Sequence, residues 1–173
     1  MKYDKPGNSM KEILHQYAAY NLWANKLIID VIDQLPAEQI HQEINSSFSS
    51  LFKTVLHLLD TENMWWQRLK LEENVERPSE KFTGDFNELQ QKLLQQSSIY
   101  EQWAAGLLDH QLQHVFGYQR SKMEQQKQPV SLTLLHIFNH GSYHRGQLVT
   151  MLRQLGVTNI PPTDFTAFLR QKK

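Results

Sequence analysis

Three of the eight histidines in the chain recur at intervals of four residues: His136, His140 and His144. Four residues of an α-helix turn through about 400°, so each histidine follows the last by about 40° around the axis and about 6 Å along it. Leucines continue the same spacing on both sides, at positions 132, 148 and 152. A histidine row that continues into leucines indicates imidazoles that are at least partly buried.

A buried imidazole needs a partner, because an unpaired polar group away from water costs about 1–3 kcal/mol. One divalent metal ion can satisfy two or three imidazoles together, and a spacing of four is the one at which H-E-x-x-H sites direct two nitrogens at a shared ion. The alternative is that these histidines are hydrogen-bonded to carbonyl groups. For three histidines on one helical row, metal binding is the favoured interpretation.

The composition limits the class of protein. A chain of 173 residues predicts a single domain over residues 1–173, with residues 1–8 as a loose N-terminal arm. Equal numbers of basic and acidic residues, 18 of each, argue against a nucleic-acid binder. The sequence contains no apolar run long enough to span a membrane, and without an apolar leader a cytoplasmic location is expected.

The chain contains no cysteine. Disulfides, cysteine-ligated zinc sites and a thiol nucleophile supplied by the protein are therefore excluded. A metal site has to be built from imidazoles, carboxylates or carbonyl groups.

Apolar residues in steps of three and four predict four long helices, over about 10–35, 50–71, 86–107 and 131–155. Ser9 and Glu12 form a capping box before the first helix, and Gly156 closes the fourth. The pattern predicts an all-α, antiparallel four-helix bundle with a long connection over 72–84. Weak alternation over 112–130 predicts a short β-hairpin before the last long helix, and Asp164 can cap a final short helix.

Three positions do not fit the apolar pattern. Asn21 is an amide within the buried seam of the first helix, where it either bonds to a neighbouring helix or lines a pocket. His57 lies about 160° from Leu59 on the second helix, so periodicity alone places it on the surface. Gly146 costs about 1 kcal/mol in mid-helix relative to alanine, which predicts close approach of another helix or subunit there.

Three segments together resemble the DinB family, within the larger DinB/YfiT-like superfamily: YNLWAN (20–25), HLLDTENMW (57–65) and NHGSYHRGQ (139–147). The resemblance implies a four-helix bundle in which three histidines hold a divalent metal, one from the second helix and two from the fourth. On this chain the ligands would be His57, His140 and His144, with His136 as a neighbour. Tyr143 stands where many members have histidine.

Imidazole ligands suit zinc, nickel or iron and argue against magnesium or calcium. Superfamily members similar to bacillithiol- and mycothiol-dependent enzymes use the metal to activate a small thiol. The resemblance therefore suggests a metal-dependent enzyme acting on a small thiol or another small molecule, either an S-transferase or a hydrolase. The alternatives are a non-catalytic metal-binding stress-response protein and a bundle used for dimerisation. A homodimer is expected, with Trp65, Trp66 and Trp103 as exposed aromatic surface.

Five further residues are candidates for roles around the metal. Arg145 can bind an anionic substrate group or serve as a surface charge, and Gln147 can position a ligand water. Asn21 is the third catalytic candidate. Asp60 and Glu62 lie within about a turn of His57 and can accept a hydrogen bond from a ligand histidine or remain exposed helix charges.

Overall fold

The computed structural model describes residues 9–121 and 124–171; the arm predicted over residues 1–8 lies outside them. The four predicted long helices are present: α1 (Met10–Ile32), α3 (Leu51–Leu69), α4 (Phe86–Gly106) and α6 (Val130–Gln154). Short helices are α2 (Ala37–His41), α5 (Asp109–Gln113) and α7 (Phe165–Gln171), with a 3-10 turn at Pro78–Glu80. None of the helices in the described ranges is long and apolar enough to cross a membrane.

The predicted hairpin is confirmed. Strands β1 (Val115–Ser121) and β2 (Glu124–Pro129) pair antiparallel. An isolated pair of strands is marginally stable, so packing beneath it has to supply the rest. Phe116 is buried in the core, and the Tyr118 ring lies edge-on to Trp65 with 4.9 Å between centroids. The hairpin is thereby fixed to the C-terminal end of α3.

The four long helices form a bundle in which α1 and α3 each pack against both α4 and α6. One apolar cluster joins the start of α1 and α6 to the end of α3 and α4; it includes Leu14, Trp65, Tyr100 and Phe138. The other cluster joins the opposite ends and includes Ile32, Leu51, Leu89 and Leu152. Helices α1 and α6 therefore run in one direction and α3 and α4 in the other. The contacts α1–α4 and α3–α6 are the antiparallel ones.

This topology follows from the long connection between α3 and α4. Residues 70–85 leave α3 at one end of the bundle and enter α4 at the other, so they travel back along its length. The backbone N–H of Ser79 in this connection donates to Asp60 Oδ1 at 2.8 Å and ties the crossing to α3. The β-hairpin, in contrast, begins and ends at one end of the bundle.

The helix ends follow local side-chain chemistry. The Ser9–Glu12 capping box is present, and Gly156 adopts φ +86° just after α6. The cap of α3 is Ser50, whose side chain accepts from the Lys53 N–H. Helix α3 ends two residues earlier than predicted, because Leu71 adopts the left-handed conformation with φ 58°. Helix α1 likewise ends at Ile32 rather than residue 35.

A buried polar network lies between the two apolar clusters. Arg145 Nη1 donates to Asn21 Oδ1 at 2.8 Å and to Asn25 Oδ1 at 2.7 Å. The Nδ2 groups of both asparagines donate to Glu62 Oε1, at 2.8 and 3.1 Å. Ser97 Oγ donates to Glu62 Oε2 at 2.8 Å. All four long helices are thus joined through one buried arginine and one buried glutamate.

The close helix approach predicted at Gly146 occurs at Gly141 instead. A Cβ atom at Gly141 would lie 2.7 Å from Asn21 Oδ1 and 2.9 Å from Arg145 Nη1. A Cβ atom at Gly146 would meet no described heavy atom within 4 Å. Gly141 therefore leaves the space that the buried network fills.

We expect alanine at these two glycines to change stability in opposite directions. Gly141→Ala crowds a buried hydrogen-bonded pair and should lower the free energy of unfolding by about 1–3 kcal/mol. Gly146→Ala, on the exposed side of the same helix, should raise it by up to about 1 kcal/mol through helix propensity. Urea denaturation of the two variants measures both values. Equal effects of the same sign would contradict this account of Gly141.

The prediction of exposed tryptophans is wrong for Trp65, which is 8 % exposed and belongs to the apolar cluster at the hairpin end of the bundle. Trp66 and Trp103 are partly buried, pack against that cluster and contact each other edge-to-face with 5.4 Å between ring centroids. The homodimer stays a prediction, without this surface as its basis.

Candidate metal centre

The antiparallel contact between α3 and α6 brings three imidazoles together. His140 Nε2 lies 3.2 Å from His57 Nε2 and 3.0 Å from His144 Nε2. One ring nitrogen from each of the three residues lies within 4.8 Å of both others. His57 comes from α3 and the other two histidines from successive turns of α6.

The histidine row on α6 runs from solvent into the core. Because each step of four residues precesses by about 40°, Leu132 at the start is 54 % exposed and Leu152 at the end is fully buried. His140 and His144 occupy the boundary between these extremes. His136 remains on the exposed side, its ring centroid 5.9 Å from that of His140, and it is not part of the three-histidine group.

His57 is half-buried against α6, so the surface position that periodicity predicted is wrong. Helix α3 packs against α4 on one side and α6 on the other, and its buried face is wider than one apolar stripe. That face includes Asp60, Thr61 and Glu62, which are all buried. Because these buried residues are polar, the apolar pattern of the sequence does not identify this face as buried.

The site keeps its imidazoles neutral. Burial, followed by the charge of His144, lowers the pKa of His57 to about 4. Burial and the two neighbouring imidazoles lower the pKa of His140 to about 3, and burial lowers the pKa of His144. Neutral imidazole is the form that binds a metal. At pH 7 the three rings are therefore in the ligating state without competition from protons.

Gln147 sets the tautomer of His144. Its Oε1 accepts from His144 Nδ1 at 2.7 Å, while its Nε2 donates to Ser47 Oγ at 3.1 Å. With its proton on Nδ1, neutral His144 presents a lone pair at Nε2. The sequence placed Gln147 near a ligand water; in the structure it orients a candidate ligand instead.

The short distances between the three nitrogens suit a shared cation better than they suit hydrogen bonds between the imidazoles. Only one proton can lie on His140 Nε2, so at most one of its two short contacts is a full hydrogen bond. Donors at 2.0–2.1 Å from a tetrahedral zinc ion would be about 3.3 Å apart, close to the observed 3.0 and 3.2 Å. His140 Nδ1 is buried and has no partner among the described residues. The donor set fits a divalent metal ion.

An aromatic residue that the sequence pattern did not indicate, Phe48, lies beside the imidazoles. Phe48 stacks on His57 with 4.2 Å between centroids and lies 5.7 Å from His144. It belongs to the serine-rich segment before α3, which periodicity treats as a polar loop. A single aromatic residue among serines was the available signal, and it carries no spacing that links it to the histidines.

The other predicted site residues lie elsewhere. Asn21 and Arg145 are in the buried network; Arg145 is 1 % exposed, so it is not a surface charge and presents no open face to an anion. Asp60 accepts from the connection, and Glu62 accepts from α1 and α4. In the described part of the chain neither carboxylate bonds to a ligand histidine and both are buried, so neither alternative, an acceptor for a ligand histidine or an exposed helix charge, describes them.

The fold and the three-histidine cluster define a class of helical-bundle proteins with a candidate metal site between two helices. The DinB family model matches residues 8–173, and the chain belongs to the DinB family. It is 30 % identical over 173 residues to Protein DinB of Bacillus subtilis (strain 168), covering 95 % of this chain and 98 % of that protein.

Two solved structures share the fold. A DinB-like protein from Bacillus subtilis superposes with a TM-score of 0.65 at 18 % identity, covering 86 % of this chain and 97 % of the other. A DinB-like protein from Bacillus cereus ATCC 10987 gives a TM-score of 0.60 at 19 % identity, covering 81 % and 90 %. The likeness extends over most of the bundle.

Proposed function

We propose that the protein is a divalent-metal-dependent enzyme that acts on a small thiol, with His57, His140 and His144 as its ligands. The observation that carries the proposal is the convergence of three neutral Nε2 atoms from two helices at 3.0 and 3.2 Å. Three imidazoles supply no negative charge, so a divalent ion retains its full positive charge for a substrate. Zinc, nickel and iron are the candidate ions.

Partial exposure of the cluster favours an enzyme over a metal used only to hold the bundle together. His57 and His140 are partly exposed, and Tyr143, whose ring lies edge-on to that of His144, is 61 % exposed. A structural site is closed by protein ligands, whereas a catalytic site keeps an open position. Phe48 covers one side of the His57 ring, and we place the open position of the proposed ion on the side where His57 and His140 remain partly exposed.

The proposed reaction is the transfer of a thiol sulfur to an electrophilic carbon. A bound divalent ion lowers the pKa of a thiol or water at its open position. In the overall transfer the thiol gives its proton to solvent, its sulfur bonds to carbon, and the leaving group departs with its electron pair. Since the chain contains no cysteine, the sulfur enters with the substrate. Hydrolysis is the variant of this proposal in which water replaces the thiol.

Cobalt substitution tests whether the site accepts a thiol. We expect the Co²⁺-loaded protein to gain a near-ultraviolet sulfur-to-cobalt charge-transfer band on addition of 2-mercaptoethanol or glutathione, because a three-histidine ion has room for a further donor. With 2-mercaptoethanol, the His136→Ala variant should give the same band as the unmodified protein. Stoichiometric cobalt with no thiol-dependent band would contradict thiol chemistry and leave a hydrolase or a closed metal site.

A further inference from the structure

A recess of about 430 Å³ lies between the end of α3, the connection after it and β1. Two arginines, Arg68 and Arg77, line it together with Met64 and Tyr118. Neither arginine forms an ion pair with a carboxylate among the described residues. The recess therefore holds two positive charges that no carboxylate of the described residues neutralises by direct contact.

Arg68 is held by two aromatic rings and donates no hydrogen bond to any described residue. Its guanidinium lies over the Trp65 ring at 4.7 Å and over the Tyr118 ring at 5.1 Å. Its Nε atom is buried and has no partner among the described residues. Stacking of this kind fixes the plane of a guanidinium, and a fixed guanidinium presents parallel N–H groups that match the two oxygens of a carboxylate or phosphate.

The recess lies on the same side of α3 as the three histidines. Eleven residues separate His57 from Arg68, which corresponds to a rotation of only about 20° and an axial distance of about 16 Å. Met64, between them on this face, lines the recess. Burial is the largest cause of the lowered pKa of both His57 and Arg68, and the charge of Arg77 lowers each pKa further, so Arg77 lies within electrostatic range of both.

Helix α6 provides the opposite side of the same path. The His136 ring lies 5.2 Å from Trp65 and 5.9 Å from His140, measured between centroids. The charge of Arg68 contributes to the lowered pKa of His136, after burial. The aromatic residues Trp65 and His136 thus connect the recess to the candidate metal centre.

We infer that this recess binds an oxyanion group, a carboxylate or a phosphate, of the small molecule whose other end reaches the three histidines. Oxyanion binding rests on the two arginines alone, whereas the link to the histidines rests on the proposed function. Glu72 and Glu73 also line the recess and are exposed. Their negative charges disfavour a polyanion and restrict the recess to a single small anionic group.

Arginine side-chain NMR of the full-length protein tests the recess with inorganic phosphate as the probe. At constant ionic strength, the Nε–Hε signals of Arg68 and Arg77 should shift and saturate with one shared Kd. Arg77→Gln should weaken that Kd roughly tenfold, because one charge-assisted hydrogen-bond donor is lost. Glu73→Gln should strengthen it. The matched control, Arg153→Gln on the exposed side of α6, should leave it unchanged.

A shift at Arg68 that does not saturate, or that Arg77→Gln leaves unaltered, would overturn the recess as an anion site. Phosphate binding by the metal-free protein supports it whatever the outcome of the cobalt experiment. The link to the histidines is tested on the cobalt protein with two thiols. Arg77→Gln should weaken the binding of glutathione, which carries carboxylates, about tenfold and should leave the binding of uncharged 2-mercaptoethanol unchanged. Equal effects on the binding of both thiols would overturn the link.

Discussion

Replacing His140 by alanine is expected to abolish stoichiometric metal binding. The Nε2 atom of His140 lies between those of His57 and His144, at 3.2 and 3.0 Å, so its removal takes away the central donor. Loss of a hydrogen bond to a ligand costs roughly 10–100-fold in affinity, and loss of the ligand itself should exceed this range. Elemental analysis of the purified variant, followed by competition with a chelator of known affinity, measures the loss.

His136→Ala is the matched control for this experiment. It removes an imidazole one turn earlier on the same helix, but His136 lies on the exposed side and outside the converging group. Its metal content should equal that of the unmodified protein. If the two variants lost metal equally, the assignment of His140 as a ligand and His136 as a neighbour would be wrong.

An intermediate effect is expected for Gln147→Ala. That substitution leaves all three ligands in place but removes the acceptor that holds His144 in its Nδ1–H tautomer. The metal affinity of Gln147→Ala should lie between those of His140→Ala and His136→Ala. The loss relative to the unmodified protein should be roughly 10–100-fold, the range for a hydrogen-bond partner of a metal ligand.

Most of the bundle could be predicted from the sequence because its helices are amphipathic and have local stop signals. Ser9 with Glu12, Asp164 and Gly156 act within one or two turns of their own position, so the chain around them carries the whole signal. The antiparallel bundle and its long connection were predicted, but which helices pair antiparallel could not be read from local signals. That depends on how the connection over 70–85 crosses the bundle, where Ser79 makes a non-local hydrogen bond to Asp60.

The candidate site, like the fold, could be predicted from the sequence only where the signal is local. His140 and His144 are visible in the sequence because both are on one helix with a regular spacing. His57 has no such signal, since its partners are 83 and more residues away, and only the resemblance to a family pointed to it. The roles of Phe48, Glu62 and Arg145 depend on contacts between segments that are distant in the sequence, and hydrophobic periodicity does not report such contacts.

Arg145→Met is expected to destabilise the fold by about 3–5 kcal/mol, the cost of leaving a buried charge without its compensating charge. The substitution leaves the Oδ1 atoms of Asn21 and Asn25 without their donor and Glu62 without its compensating cation. Arg153→Met, an exposed arginine on the same helix, should change stability by no more than about 0.5 kcal/mol. Chemical denaturation at neutral pH measures both, and similar values would contradict a structural role for Arg145.

The pH dependence separates lost charge compensation from lost packing. Burial raises the pKa of Glu62 above its ordinary 4.5, while the charge of Arg145 acts to lower it, so Arg145→Met should raise this pKa further. A carboxyl whose pKa is higher in the folded state lowers the stability of the fold as pH rises, because the same group ionises at a lower pH in the unfolded chain. The deficit of the variant should therefore be smallest near pH 4.5 and grow toward neutrality. Adding Glu62→Gln should flatten this dependence, whereas a pH-independent deficit would assign the effect to packing alone.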